Sequence, residues 1–177
     1  MSVDYYIHCT LSGKLAERVL SIEKKYQGNS RSRPHLTIIR PQGISADVSE
    51  RELIGSIGFA LRKQKPLLII QLGVGYFGEK EIVCIKVKRS VALMLCHRRL
   101  TKATIGLLDG SRGEFAHLPN PHITLAARLS GESAKKAWAS LKDQDFSGRF
   151  LCKRVSLLRK REGDKRWKVI KDFNLDG

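Results

Sequence analysis

Pro34-His35-Leu36-Thr37-Ile38 recurs, type for type, as Pro121-His122-Ile123-Thr124-Leu125. A strand sends alternate side chains to opposite faces, so each copy sets His and Thr on one side and two aliphatic residues on the other. Each copy thereby couples a proton carrier to a hydroxyl. If the copies face one another across a cleft, two imidazoles and two hydroxyls surround one small anionic group. A phosphodiester fits that description. One His-x-Thr arises easily by chance, whereas a second copy matched at five consecutive positions points to a shared site.

Working outward, Val3 to Leu11 alternates as a strand, with Tyr5, Ile7 and Cys9 on one face and Tyr6, His8 and Thr10 on the other. Leu15, Val19, Ile22 and Tyr26 carry a helical stripe that Gly28-Asn29 ends, and the basic loop Ser30-Arg31-Ser32-Arg33 feeds the first His strand. Asp47 with Glu50 three residues on resembles a helix start ahead of Ile54, Ile57 and Leu61, although Gly55 and Gly58 weaken that helix. Pro66 stops it, Leu67 to Leu72 reads as a buried strand, and Gly73 to Gly78 as a turn-rich link. Val83, Ile85 and Val87 then alternate with Cys84, Lys86 and Lys88, and Ser90 to about Ile105 reads as a helix with Val91, Met94 and Leu95 inward. Asp109 to Gly113 is a loop leading through His117 and Asn120 to the second His strand. Ala134, Trp138 and Leu141 mark a short helix, and Phe150–Leu158 and Trp167–Phe173 two strands around a charged turn. No low-complexity linker divides the chain, and the comparable order around each motif predicts one α+β unit with two similar halves.

The 177 residues, 42% of them hydrophobic, suffice for a sizeable core. Thirty-three Lys and Arg against seventeen Asp and Glu give a formal charge of +16, which points to a polyanionic partner, nucleic acid first. No apolar run is long enough to span a membrane, and Met1-Ser2-Val3-Asp4 lacks the order of a secretion signal, so a cytoplasmic protein is expected. Cys9, Cys84, Cys96 and Cys152 are isolated in apolar or mixed stretches and read as reduced core cysteines, not a disulfide framework or metal site.

The paired motifs resemble those of the two-histidine (2H) phosphoesterases, in particular the bacterial branch of 2′,5′ RNA ligases that also act as RNA cyclic phosphodiesterases. Tyr5-Tyr6-Ile7, the run Leu72 to Gly78 and the closing Val155–Leu158 and Trp167–Leu175 segments extend the likeness nearly end to end. The resemblance implies residues 1–177 as a single bilobal domain with pseudo-twofold symmetry, one His-x-Thr motif per lobe, and antiparallel sheets lining a central cleft with helices outside. Related sequences often read H-x-T-L-A-R after the second His, whereas here Ala126-Ala127 pushes the basic residue to Arg128. Strand parity places Arg128 on the face of His122 and Thr124, and Arg33 on the face of His35 and Thr37. Arg40 falls on the other face unless the strand bends, so Arg33 and Arg128 rank above it as phosphate contacts. Tyr6 is a candidate stacking surface for a base. His8, His97 and His117 lack the Thr partner; His97 reads as a helix-surface residue and His117 as a loop residue.

Opening a 2′,3′-cyclic phosphate needs a base to deprotonate water and an acid to protonate the departing ribose oxygen. Imidazole suits both, with an ordinary pKa near about 6.5. His35 and His122 are therefore the catalytic candidates, with Thr37 and Thr124 donating to the non-bridging oxygens. The resemblance implies hydrolysis to a 2′-phosphate, and with a ribose hydroxyl replacing water the reverse joining of RNA ends, without metal or cofactor. It suggests His122 as base and His35 as acid, which the near symmetry of the motifs leaves open. The expected partner is RNA or a nucleotide with a 2′,3′-cyclic phosphate, bound by a monomer. The competing readings are a non-catalytic RNA-binding module and a 2H phosphodiesterase acting on a small nucleotide.

Overall fold

The alternation around each His motif is realised as strand pairing at the middle of a sheet. The structure, a computed structural model, describes residues 3–27, 33–109 and 120–177. β1 (Val3–Thr10), α1 (Gly13–Gln27), β2 (His35–Gly43), α2 (Glu50–Leu61) and β3 (Leu67–Phe77) make up the first part of the chain. After one 3₁₀ turn come β4 (Ile82–Val87), α3 (Val91–Thr104), β5 (His122–Ala126), α4 (Gly131–Leu141), β6 (Ser147–Cys152), β7 (Arg154–Arg161) and β8 (Lys168–Asn174). The strands form one eight-stranded sheet in the order β6-β3-β4-β5-β2-β1-β7-β8, antiparallel throughout. The fold is α+β, as expected. The two His strands lie side by side at the seam between two four-stranded halves, joined by the pairing of Leu36 with Ile123.

That seam is anchored from both sides by the same device. The Pro34 carbonyl accepts from the Leu11 N–H at 3.0 Å, and the Pro121 carbonyl from the Val87 N–H at 2.9 Å. Proline has no N–H to waste just ahead of a strand, and its carbonyl still pins the strand to its neighbour. Leu36 and Ile123 face the apolar side and are fully buried, in one cluster with Val19 of α1, Leu53 and Ile57 of α2, and Leu93 and Leu100 of α3. Burying each such side chain stabilises by about 1.5–3 kcal/mol.

Several elements depart from the sequence expectation. α2 is capped by Ser49, not Asp47, in a reciprocal box in which the Ser49 hydroxyl accepts from the Glu52 N–H and the Glu52 carboxylate accepts from the Ser49 N–H. That cap, and the Ser56 hydroxyl donating to the Ala103 carbonyl of α3 at 2.7 Å, hold the helix despite Gly55 and Gly58. The glycine-rich run after Leu72 is the second half of β3, with a register slip against β4 between Gln71 and Val74 and Gly73 at φ 91°. Phe150–Leu158 is two strands, because the chain leaves β6 at Cys152 and enters β7 at Arg154. α3 turns Leu93, Cys96, His97 and Leu100 inward and leaves Val91 76% exposed, so His97, at 3% exposure, is a core residue and not a surface one. His117 lies outside the described residues. The four cysteines are free and buried, as expected.

Inside the β1/β7/β8 layer a polar chain runs from strand to strand. The Ser156 hydroxyl donates to Asp172 Oδ1 at 2.6 Å, and Thr10 Oγ1 lies 3.1 Å from both Ser156 Oγ and His8 Nε2. A carboxylate only accepts, so Ser156 gives its proton to Asp172, Thr10 donates to Ser156, and His8 Nε2–H donates to Thr10. His8 is thus neutral with a bare Nδ1. Burial, the charge of His35 and that of Arg33 push its pKa down to about 2.

This packing sets two expectations for stability. Ile123→Ala should cost about 2–5 kcal/mol, read as a lowered urea midpoint at unchanged slope. For His8, the unfolded chain binds a proton below its ordinary pKa of 6.5 that the folded chain refuses until about pH 2. Stability should therefore fall as pH drops through that window, by at most about 1.4 kcal/mol per pH unit for this one group. Urea melts of His8→Gln between pH 7 and pH 4 should show a shallower decline than the wild-type chain.

Candidate active site

The register at the seam decides which side chains meet. With Leu36 opposite Ile123, His35 stands opposite Thr124 and Thr37 opposite His122, all on the face away from the core. The four are half-buried while Leu36, Ile38, Ile123 and Leu125 beneath them are buried. His35 and His122 are then diagonal neighbours, a relation that sets residues roughly 7–8 Å apart. Such a span leaves room for one phosphate between the rings.

Both imidazoles are oriented by the same local bond. His35 Nδ1 lies 2.7 Å from the Arg33 carbonyl and His122 Nδ1 lies 2.9 Å from the Asn120 carbonyl, each two residues back in the chain. A carbonyl only accepts, so Nδ1 carries the proton in each ring and Nε2 is the nitrogen with the lone pair. Burial holds the His35 pKa below its ordinary value, with the charge of His122 adding to that effect and the Arg33 carbonyl opposing it. The His8 ring lies against the His35 ring at 4.6 Å and 31°, and the Phe77 ring meets His122 at 5.1 Å in a T-shaped contact.

Each threonine is followed by a β-bulge. His8 pairs with Thr37 and Ile7 with Ile39, so Ile38 is left over in β2; Cys84 pairs with Thr124 and Val83 with Ala126, so Leu125 is left over in β5. A left-over residue reverses the alternation, which is why Ile38 and Ile39, and likewise Leu125 and Ala126, are buried in succession. The third residue after the threonine of β2 consequently turns to the active face. In the first copy that residue is Arg40, which lines a cavity of about 490 Å³ with His122, Phe77, Asn120 and Lys80. In the second copy the matching position is Ala127, just past the end of β5. Parity therefore misleads for the arginines: the strand ends at Ala126 and Arg128 is in a left-handed conformation at φ 59°, beyond the face-sharing argument. Arg33 lines a second cavity of about 370 Å³ on the far side of His35, with His8, Arg154, Ser156, Trp167 and Lys168.

Tyr6 is brought to His35, ring centroids 5.6 Å apart, but is only 3% exposed and sits edge to face with Trp167 at 4.5 Å. The half-exposed Trp167 is the ring that remains available for stacking. Lys86 stands opposite His122 on β4 with its aliphatic stem across Gly75, where any side chain would collide with it. Its alternation with Val83, Ile85 and Val87 was legible, but not that β4 would lie beside the second His strand. Cys84, opposite Thr124, is buried and its thiol is pushed up to about 12, so it stays a neutral thiol beside the threonine.

The 2′-5′ RNA ligase superfamily model matches residues 8–164. A Bacillus licheniformis protein provisionally named a phosphoesterase is 27% identical over 169 residues, covering 93% of this chain and 94% of the relative. Among solved structures, TT0787 of Thermus thermophilus superposes with a TM-score of 0.68 at 17% identity, over 100% of this chain and 99% of that one. E. coli LigT complexed with NADP+ does so with a TM-score of 0.65 at 17% identity, over 100% of both chains. E. coli LigT complexed with 3′-AMP gives 0.63 at 17% identity, over 99% of both. These likenesses agree on the fold, and the sequence match takes in both His-x-Thr strands. The chain belongs to the 2′-5′ RNA ligase superfamily, and its fold is that of E. coli LigT.

Proposed function

We propose that this protein opens the 2′,3′-cyclic phosphate at an RNA end to a 2′-phosphate, and that with a ribose hydroxyl in place of water the same groups join ends by a 2′,5′ linkage. The observation that carries this reading is the diagonal pair of Nδ1-anchored imidazoles on the face away from the core, each with a threonine opposite. One Nε2 takes the proton of the attacking water and the other returns a proton to the ribose oxygen that leaves. Thr37 and Thr124 donate to the non-bridging oxygens, where charge gathers in the transition state. Arg40 supplies the guanidinium for the phosphate from the first copy, because the bulge aims it at the cavity beside His122. The lowered pKa of His35 favours its neutral form, which suits it to the base and leaves His122 as the acid, the reverse of the order suggested by family analogy. A net charge of +16 favours a polyanion over a small neutral substrate, and the nucleotides held by E. coli LigT are in keeping with a nucleotide in the cleft.

The direct experiment incubates the protein, with EDTA present, with a short RNA ending in a 2′,3′-cyclic phosphate. A 2′-phosphate end is expected, and salt-sensitive RNA binding with no product would instead make the protein a binding module. His35→Ala and His122→Ala should each lower kcat by about 10²- to 10⁴-fold with RNA affinity largely retained. The pH profile of kcat/KM should be bell-shaped, with the acid limb below 6.5 as the His35 shift requires. Arg40→Ala should lower kcat/KM by roughly 10- to 100-fold, the scale of a charge-assisted bond, and by more than Arg128→Ala does.

A further inference from the structure

Behind the sheet, where α2 and α3 lie, the charge is lopsided in a way that the two-histidine reaction does not use. From Leu53 to Gly78, and again from Ile82 to Leu108, the chain has no Asp or Glu. Those stretches hold most of α2 and all of α3, and along the exposed side of the two helices runs a groove of about 440 Å³. Arg62, Lys63, Arg99 and Lys102 line it, and no carboxylate does. None of the four makes an ion pair among the described residues. Arg99 is steadied by a neutral group, donating to Gln64 Oε1 at 3.1 Å, which leaves its charge uncompensated. The chain end comes in beside Lys63, where the Gly177 N–H donates to the Gln64 carbonyl at 3.4 Å, and brings Asp176 with it.

A second observation is of a different kind. Phe59 lines the groove and is 66% exposed, on a helix whose Leu53, Ile57 and Leu61 already supply the buried stripe. Core packing makes no use of this ring, and the Arg62 guanidinium lies 3.9 Å from its centroid. A flat apolar ring flanked by cations is the pairing that single-stranded nucleic acid takes, with a base on the ring and phosphates on the charges. The walls are tied together, since the Ser56 hydroxyl donates to the Ala103 carbonyl at 2.7 Å and both residues line the groove. A concave surface of this kind fits a strand, whereas a bilayer takes a protruding apolar face.

We infer that the groove between α2 and α3 is a second RNA contact, apart from the histidines, which holds the body of an RNA whose end lies in the cleft. Leu36 and Ile123 point from the seam into the core that α2 and α3 cover, so groove and histidines lie on opposite faces of the sheet. A mononucleotide at the seam cannot reach the groove. A strand that passes round the molecule, or a folded RNA, can. The contact takes backbone charge and the face of a base, so it is indifferent to sequence. This rests on the proposed reading of the substrate as RNA and adds to it a preference for long substrates over short ones.

The test follows, by fluorescence anisotropy over a range of salt, the binding of a single-stranded RNA of about twenty nucleotides that ends in an ordinary 3′-hydroxyl, alongside hydrolysis of adenosine 2′,3′-cyclic phosphate. The triple variant Arg62→Gln, Arg99→Gln, Lys102→Gln should bind at least about tenfold more weakly, with a salt slope shallower by about 2, since each single-strand phosphate contact contributes about 0.7. It should hydrolyse the cyclic mononucleotide as the wild-type chain does. A control triple variant, Lys14→Gln, Lys24→Gln, Lys135→Gln, removes the same charge from α1 and α4 and should lose much less affinity. Phe59→Ala should weaken binding by about tenfold, the scale of one stacked base, and Phe59→Tyr, which keeps a ring, should restore it; the Tyr variant guards against a folding defect in the Ala variant. Equal losses in the two triple variants, or wild-type affinity in Phe59→Ala, would overturn the contact even if the cyclic phosphate is hydrolysed. Binding to phosphatidylserine vesicles that the groove variant loses, with its RNA binding unchanged, would overturn it in favour of a membrane surface. Absence of hydrolysis with groove-dependent RNA binding intact would overturn the proposed function and leave the contact standing.

Discussion

The whole site depends on one point of strand pairing, Leu36 against Ile123. Two strands with identical His-x-Thr alternation, antiparallel and in this register, must put each histidine opposite the other strand's threonine. A slip of one residue would turn the histidines into the core and the leucine and isoleucine out to solvent. Burial of the aliphatic residues therefore does two things at once. It supplies stability to the seam between the halves, and it enforces the register on which the diagonal histidines depend.

The polar side of the arrangement rests on backbone, not on other side chains. Each imidazole is held by the carbonyl two residues before it, a bond that the chain makes locally once Pro34 or Pro121 has fixed the entry to the strand. In many histidine sites a carboxylate sets the tautomer and also raises the basicity of the ring. A carbonyl sets the tautomer without bringing a full negative charge beside the ring. Burial is then free to hold His35 below its ordinary pKa.

The sequence made the pairing of motifs, the α+β class and most elements legible, because alternation, helical stripes and terminators are local signals. His35, Thr37, His122 and Thr124 were found from five-residue patterns, and the structure brings them together on one face. Arg40 ranked below Arg33 and Arg128 in the sequence for a physical reason. Parity assumes an unbroken strand, and neither Ile38-Ile39 nor Leu125-Ala126 announces a bulge by composition. Val91 and Leu95 misled in the same way, since hydrophobic residues at the start of a helix can face solvent when others give the buried stripe. Trp167, Phe77 and Lys86 come to the site only through the strand order of the sheet, which no local pattern contains.

The departure from the H-x-T-L-A-R pattern makes sense once the bulges are placed. In an antiparallel pair each strand runs past the start of the other, so the third residue after Thr37 in β2 reaches the neighbourhood of Asn120 and His122. The matching residue of the second copy, Ala127, follows the end of β5. Where related sequences often carry an arginine this chain has Ala127, while the first copy carries Arg40. Arg33, two residues before His35 where Asn120 stands before His122, lines the other cavity. The two copies thus place their arginines unequally about the seam, Arg40 at one cavity and Arg33 at the other.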